Sequence, residues 1–238
     1  MSPRPAWSTR PASGTCSART CPGATYRSGR GWRSAPGTGW CWTTTPTARR
    51  TPSSLAGAAQ GFASVVLVTI GTGIGGALVL GGRLVRGAHG LAGEFGHMQA
   101  VPDGLACECG LHGCWEQYCS GRALERVSRV ALGRHLDGPE VTAMALAGDE
   151  VARNAFASIG TWLGVGTAAL VSAFDPEVVV VGGGVSAVGD LLLAPARVGL
   201  RGALQGTDHR PVPDIVPAAL GPGAGAIGAA LLARDGRP

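Results

Sequence analysis

One histidine and three cysteines occur at a spacing that suits a metal ion. His97 is followed by Cys107, Cys109 and Cys114, in the pattern H-x9-C-x-C-x4-C. One imidazole and three thiolates are a complete tetrahedral ligand set for zinc, with no position left open. A closed site of this kind is structural, so we expect the ion to fix the loop at residues 97–114 rather than to activate water. The chemistry must then come from neighbouring side chains.

Two carboxylates flank this cysteine-rich loop. Glu94 precedes His97, and Glu116 follows Cys114. Each alone would be an ordinary solvated charge, but beside an ordered metal loop the pair could accept hydrogen bonds from adjacent hydroxyls of a sugar. Such pairing discriminates strongly against analogues that lack the hydroxyls. We therefore interpret residues 91–121 as a sugar site.

Two glycine-rich turns each follow an apolar, β-branched run. Ser64–Ile70 is predicted to be a buried strand that leads into the string GTGIGG at residues 71–76, and Glu177–Val181 a second strand that leads into three glycines at 182–184. Glycines permit positive φ and can bring backbone N–H groups against an anion, and ligands gather at the C-terminal edge of α/β sheets. A hairpin turn gives the same first string, so both interpretations stay open.

Composition bounds the class of protein. The 238 residues, 45% of them hydrophobic, can support a sizeable core. The start of the chain has no apolar segment of a signal peptide, and no later apolar run reaches the roughly 18 residues that span a bilayer. We therefore expect a cytoplasmic protein with no membrane partner. In that reducing compartment clustered thiols more often bind metal than form disulfides, and Cys119, outside the ligand spacing, is interpreted as a core residue.

The net charge of +5 would ordinarily favour a nucleic-acid or membrane partner. The charge is uneven, however, because eight arginines fall in the first fifty residues and no acidic residue precedes Glu94. From Glu94 onward the two signs are close to balance. We therefore expect no nucleic-acid partner.

Residues 1–55 combine Arg, Gly, Ser, Thr and Pro with four tryptophans and show no apolar period. A disordered tail and an Arg/Trp-rich RNA-binding arm are two interpretations. We favour a third, translation in a shifted frame, in which the third base of each codon is read with the first two of the next. In this shifted frame the codons of Trp42–Arg50 can encode Asp-Asn-Asp-Ala-Asn. Those of Arg19–Gly23 can encode Asn-Leu-Pro-Gly, and those of Ala24–Gly29 can encode Asp-Val-Pro-Leu-Arg. A stop codon in the shifted frame of the gene would contradict this hypothesis.

The remaining pattern predicts the elements that must position these residues. Strands are predicted at Ala77–Leu80, Arg83–Val85 and Asp214–Pro217, and helices at Gly121–Leu132, Val151–Phe174, Asp190–Ala203 and Ala224–Arg234. The first helix is capped by Ser120 and carries Leu124, Val127, Val130 and Ala131 on one face. The second is apolar on all sides, so we expect it to be buried, with Gly160, Gly164 and Gly166 permitting close backbone approach.

Five motifs carry a resemblance to a known family. They are GTGIGG from Gly71, AGEFGH from Ala92, CECGLHGCWEQYCSG from Cys107, DPEVVVVGGGVS from Asp175, and GAGAIGAALLA ending at Ala233. The chain resembles the ROK family, particularly its actinobacterial glucokinases, over about residues 57–233. The resemblance implies an α/β, actin-like and ribonuclease-H-like sugar kinase fold. Residues 56–238 would be its C-terminal lobe with a zinc-binding insertion, and the N-terminal lobe would be largely missing.

The resemblance also implies roles for single residues. Glu94, His97 and Glu116 match the positions that contact the sugar hydroxyls, and the zinc ligands are matched by His97, Cys107, Cys109 and Cys114. The loop that faces the nucleotide phosphates is matched by Gly71, Thr72 and Gly73. The turn near the adenosine is matched by Gly182, Gly183 and Gly184. It implies ATP, Mg²⁺ and a structural Zn²⁺ as cofactors, a hexose, foremost glucose, as substrate, and a homodimer.

Two departures from the family pattern bear on activity. The D-x-G-G-T phosphate loop of the first lobe does not occur, and the general base, the second Asp of DNDAN, would have its shifted codon straddling Thr44 and Thr45. A general base contributes about 10²- to 10⁴-fold to a rate, and lobe closure excludes water. The resemblance thus implies transfer of phosphate from ATP to the 6-hydroxyl of glucose, impaired in this chain.

Three alternatives stay open. The first is phosphorylation of another hexose, such as N-acetylmannosamine, and the second is polyphosphate in place of a nucleotide as the donor. The third is a non-catalytic sugar-binding protein, including a ROK repressor, although residues 1–55 show no period of a helix-turn-helix.

Overall fold

The structure is a computed structural model that describes residues 57–219 and the backbone of residues 25–27 and 30–33. The strands are β1 (Thr25–Arg27), β2 (Arg30–Arg33), β3 (Val65–Ile70), β4 (Ile74–Leu80), β5 (Arg83–Val85), β6 (Val178–Gly182) and β7 (Asp214–Pro217). The helices are α1 (Gly121–Leu132), α2 (Gly138–Leu146), α3 (Glu150–Phe174) and α4 (Asp190–Ala203).

Five strands form one mixed sheet in the order β5-β4-β3-β6-β7. The hairpin-linked strands β3, β4 and β5 are antiparallel, whereas β6 is parallel to both β3 and β7. Parallel neighbours require long crossover connections, which here contain α1 to α3 and then α4. Three antiparallel strands beside two parallel ones are the ribonuclease-H-like order that the sequence predicted, and the α/β class is confirmed.

The main hydrophobic core lies between the sheet and helix α3, which packs along α4. A smaller cluster, made of Val65, Val79, Val178 and Val180, marks the other face of the sheet. Helix α3 is long and apolar enough to cross a membrane, contrary to our reading of the sequence, but 61% of its most apolar window is buried in this structure. The core therefore accounts for its composition.

Glycines let α3 and α4 meet backbone to backbone, as predicted. A Cβ atom on Gly164 would lie 2.2 Å from the Ala196 carbonyl oxygen and 2.5 Å from the Leu200 nitrogen. We expect Gly164→Ala to lower the free energy of unfolding by about 2–3 kcal/mol, because backbone atoms cannot give way as a flexible side chain can. Urea denaturation followed by circular dichroism measures this change.

The control for this prediction is Gly202→Ala in α4, where an added Cβ meets no atom within 4 Å. There alanine should stabilise the helix by about 0.5–1 kcal/mol. Equal unfolding free energies for the two variants would show that the helices do not pack in this way.

Most predicted elements agree with the structure, with four differences. β4 begins at Ile74 rather than Ala77, so the first glycine-rich string is partly strand. Helix α2 was missed, although Asp137 and Glu140 form a capping box in which each side chain accepts the other's backbone N–H at 2.8 Å. On α1 the fully buried residues lie in the first two turns, and Val130, at 80% exposure, and Ala131 are exposed instead of facing the core.

The fourth difference is the hairpin of β1 and β2, in a segment where no element was predicted. Its strands have three and four residues, too few to show an apolar period. The helix predicted at 224–234 and the proposed shifted codon at Thr44 and Thr45 lie outside the described residues.

Candidate functional site

The four predicted metal ligands form one cluster. The ligand atoms of His97, Cys107, Cys109 and Cys114 all lie within 4.8 Å of one another. His97 Nδ1 is 3.7 Å from Cys107 Sγ, and Cys109 Sγ is 3.5 Å from Cys114 Sγ. Tetrahedral zinc with Zn–S bonds of about 2.3 Å needs sulfur atoms about 3.8 Å apart. The donor set and its spacing therefore fit a zinc ion.

Backbone pairing between two short segments builds this cluster. Gln99 and Cys114 form an antiparallel bridge, and Trp115 N donates to the Met98 carbonyl at 2.8 Å. His97 and Cys114 are thereby brought to adjoining ends of the paired segments. A tight turn supplies the other two ligands, since Cys107 N donates to the Leu111 carbonyl at 2.8 Å.

The thiols of the cluster have shifted acidities. Burial raises the pKa of Cys107, and burial together with the neighbouring sulfurs raises the pKa of Cys114 to about 12. For the exposed Cys109, burial acts in the same direction, but the Leu111 backbone N–H and the sulfurs of Cys114 and Cys107 lower its pKa overall. Zinc binds thiolates, so loading the cluster must displace protons. Cys119 is fully buried in the core, as predicted.

Glu116 joins the metal cluster to the first glycine-rich turn. Its Oε2 accepts a hydrogen bond from Ile74 N at 3.3 Å, and its Oε1 lies 3.7 Å from Cys107 Sγ. A Cβ atom on Gly73 would lie 2.5 Å from the same Oε2. One carboxylate is thus held between two parts of the chain that the sequence assigned to sugar and phosphate.

Glu94 lies on the segment that carries His97. It immediately precedes a one-turn 3₁₀ helix, Phe95–His97, and its carbonyl accepts from His97 N at 3.2 Å. The side chain is exposed, and within residues 57–219 its carboxylate takes part in no hydrogen bond. Both oxygens are therefore available to a ligand, and within residues 57–219 no hydrogen bond joins Glu94 to Glu116.

The first glycine-rich string is a hairpin turn, and its glycines serve close packing. None of Gly71, Gly73, Gly75 or Gly76 has a positive φ, contrary to the expectation for a phosphate cradle. Gly71 N donates to the Gly73 carbonyl at 3.0 Å, and a Cβ atom on Gly76 would lie 2.2 Å from the Phe95 ring. The exposed Thr72 stands at the tip of the turn. A role for Thr72 toward phosphate stays a prediction.

The second glycine-rich turn lies beside the first. β3 and β6 are in parallel register, with Thr69 opposite Gly182, so their C-terminal ends meet at one edge of the sheet. Gly183 has φ +91°, and a Cβ atom there would lie 2.3 Å from the Ile70 carbonyl oxygen. The N-terminus of α1 closes the group, because Gly121 N donates to the Gly71 carbonyl at 2.7 Å. The predicted nucleotide residues are thus neighbours.

Sequence reasoning missed the anchor of the metal loop, Trp115. This side chain is fully buried, its Nε1 donates to the Trp162 carbonyl at 2.7 Å, and its indole covers Gly166 in α3. The signal was a tryptophan directly after the ligand Cys114. Tyr118 adds a second anchor, because its hydroxyl accepts a hydrogen bond from Leu105 N at 2.8 Å.

The sequence profile of the ROK family matches residues 52–236. The chain belongs to the ROK family. It is 43% identical over 199 residues to a glucokinase of Streptomyces coelicolor, an alignment that covers 76% of this chain and 63% of that protein. Assignment to the family also confirms the actin-like sugar kinase fold that the motifs implied.

Two solved ROK structures are similar to this one. A Streptomyces griseus ROK glucokinase in complex with glucose and AMPPNP has a TM-score of 0.72 and 43% identity, with 78% of this chain and 65% of that chain covered. A ROK transcriptional regulator, a homologue of the E. coli MLC protein, has a TM-score of 0.68 and 27% identity, with 77% and 48% covered. This chain therefore spans less than two thirds of the length of these ROK relatives.

Proposed function

We propose that this chain is the sugar- and nucleotide-binding part of a ROK hexokinase that transfers phosphate from ATP to the 6-hydroxyl of glucose. The observation that carries the proposal is the position of Glu116. Its carboxylate bridges the zinc-type cluster at Cys107 and the turn at Gly73 and Ile74. A hexose bound there would lie between the metal loop and the nucleotide turns, as transfer to a sugar hydroxyl requires.

Each group has a separate task in this proposal. Glu94 and Glu116 accept hydrogen bonds from sugar hydroxyls, and carboxylate acceptors make strong bonds of this kind. His97, with one ring nitrogen on the metal, donates from its other ring N–H to a sugar oxygen. Zinc, held by His97, Cys107, Cys109 and Cys114, orders the loop and takes no part in the transfer because its ligand set is closed. The residues proposed to face the nucleotide are Gly71, Thr72, Gly73, Gly182, Gly183 and Gly184. Mg²⁺ would supply charge neutralisation on the phosphates of bound ATP.

Turnover by this chain is proposed to be impaired. The shifted codon of the expected general base would straddle Thr44 and Thr45, and a threonine hydroxyl does not accept a proton at neutral pH. The chain would bind hexose through side chains within residues 57–219 but would transfer phosphate slowly. Residues 1–55 are proposed to be a shifted-frame remnant of a first lobe and residues 56–238 the folded part, in a cytoplasmic homodimer.

A coupled assay of hexose phosphate formation tests this function. The assay compares the 238-residue chain with a version in which the reading frame of residues 1–55 is restored, and it uses glucose, mannose and N-acetylmannosamine with ATP. We expect turnover of glucose in the restored form and at least about 100-fold less in the given chain, from the loss of the base. Equal and measurable turnover in both forms would contradict the proposed impairment.

The same assay addresses a second candidate, a sugar-binding ROK protein without catalysis. The observation that favours it is that the metal cluster and Glu116 are complete within residues 57–219, whereas the expected base is not. Hexose binding in calorimetry, with no turnover in either form, would support this candidate over the kinase. Light scattering of the purified chain tests the proposed dimer.

A further inference from the structure

A basic pocket on α1 lies outside the groups assigned so far. Its volume is about 140 Å³ and it is lined by Arg122, Glu125, Arg126, Arg129 and His135. Its three arginines, at 122, 126 and 129, are spaced i, i+4 and i+7, so the helix places them in one stripe. Gly133, with φ +68°, ends the helix and turns the chain back so that His135 reaches the same pocket.

Positive charge exceeds negative charge in this pocket. Glu125 is its one carboxylate, and Glu125 Oε1 accepts a hydrogen bond from Gly138 N at 3.1 Å. Arg122 pairs with Glu108 at 2.7 Å, but Arg126 and Arg129 make no ion pair within residues 57–219. Burial, together with the nearby charge of Arg129, lowers the pKa of Arg126. Two guanidinium groups thus repel each other where an anion would stabilise both.

Contacts on one side fix the most buried of these arginines. Arg126 Nη2 donates a hydrogen bond to the carbonyl oxygen of Gln117, which follows the proposed sugar ligand Glu116 in the sequence. A guanidinium carries five N–H donors in a planar fork, so a single bond to Gln117 leaves donors for two oxygens of one phosphate. This bond meets part of the entropy cost of ordering Arg126 before a ligand binds.

We propose that this pocket binds the phosphate group of a small molecule, with Arg126 and Arg129 as the main ligands and Arg122 and His135 at its sides. The phosphate is either free inorganic phosphate or the phosphoryl group of a sugar phosphate. The proposal goes beyond the kinase function, because it uses no atom of the hexose site. Arg122 is shared with Glu108, which lies between Cys107 and Cys109, so bound phosphate competes with the metal loop for this side chain.

Calorimetric titration of the full chain at constant ionic strength tests the pocket, with inorganic phosphate, glucose 6-phosphate and glucose as titrants. We expect at least one phosphate compound to bind with a dissociation constant of about 1 mM or lower. The double variant Arg126→Gln, Arg129→Gln should weaken it at least about tenfold, because two charge-assisted hydrogen bonds are lost. Arg201→Gln, an exposed arginine on α4, is the matched control and should leave affinity unchanged.

Two further variants separate the possible results. Glu108→Gln should tighten phosphate binding about two- to fivefold, because it removes the carboxylate that competes for Arg122. Glu116→Gln should leave inorganic phosphate binding intact even where it abolishes hexose binding, so the pocket and the kinase proposal fail independently. Tighter binding of glucose 6-phosphate than of phosphate would identify the sugar phosphate as the ligand, and equal affinities would identify the free anion.

The proposal is overturned if neither phosphate compound binds below about 10 mM, or if the double variant binds as tightly as the original chain. An equal loss in Arg201→Gln would also overturn it, since that result marks general charge attraction. If the double variant fails to fold, the exposed Arg129→Gln alone carries the test, and unchanged affinity in that variant rejects the pocket.

Discussion

Cys109→Ser is expected to reduce bound zinc from one equivalent to less than about a tenth and to release the loop at residues 97–114. Structural zinc contributes about 10–16 kcal/mol of apparent binding energy in small zinc-dependent peptides, and replacing one of four ligands by a neutral hydroxyl removes part of that energy. Cys109 is the exposed member of the cluster, so the substitution leaves the core unchanged. Metal analysis and limited proteolysis of the loop measure the two effects.

The matched control for this substitution is Cys119→Ala. Cys119 is a cysteine of the same region, fully buried and outside the cluster, so this variant should keep its zinc even if its stability falls by about 1–2 kcal/mol. Stoichiometric zinc in Cys109→Ser, with an uncut loop, would show that the four residues do not form the metal site.

Glu116→Gln is expected to weaken glucose binding about 10- to 100-fold, because hydrogen bonds to a charged acceptor contribute roughly 1.5–3 kcal/mol. The amide oxygen of glutamine can still accept the hydrogen bond from Ile74 N, so the turn should stay in place. Loss of affinity without loss of zinc therefore separates a sugar ligand from a structural support of the loop. Calorimetric titration with glucose gives the affinity, and metal analysis gives the zinc content.

Glu150→Gln controls for the loss of one negative charge. Glu150 is exposed in the first turn of α3, so its replacement should change glucose affinity less than about twofold. If Glu116→Gln binds glucose within about threefold of the original chain, Glu116 is not a sugar ligand. Failure of the original chain to bind any hexose would remove the basis of the proposed function.

Local chemistry explains why much of the fold was predictable from the sequence. The ends of α1 follow from the Ser120 cap, whose hydroxyl accepts from Ala123 N at 3.1 Å, and from Gly133 in the left-handed conformation. The valines of β6 are buried on both faces of the sheet, so they form a continuous apolar run rather than an alternating one. That His97, Cys107, Cys109 and Cys114 come together was predictable because thiolates and an imidazole at short spacing have few uses other than metal binding.

What could not be predicted depends on contacts between distant segments. The sequence gives no sign that Gly76 must be small because the Phe95 ring lies against it, or that Trp115 reaches the Trp162 carbonyl. The prediction of positive φ angles in the first glycine-rich string was wrong for the same reason. Those glycines are required by the side chains and backbone packed against them, not by a special backbone conformation. Pairing of Arg122 with Glu108 is likewise a product of the folded metal loop.

The contact between Gly73 and the Glu116 carboxylate has an evolutionary consequence. Because a Cβ atom at position 73 would lie 2.5 Å from Oε2 of that carboxylate, position 73 cannot gain a side chain unless the Glu116 carboxylate moves. A homologue that acquires alanine at the turn must also shorten or redirect its acid, which would alter the proposed contact between this acid and a sugar. We therefore expect relatives that carry a side chain at position 73 to carry a shorter or redirected residue at position 116, whereas replacement of the acid alone meets no such steric barrier.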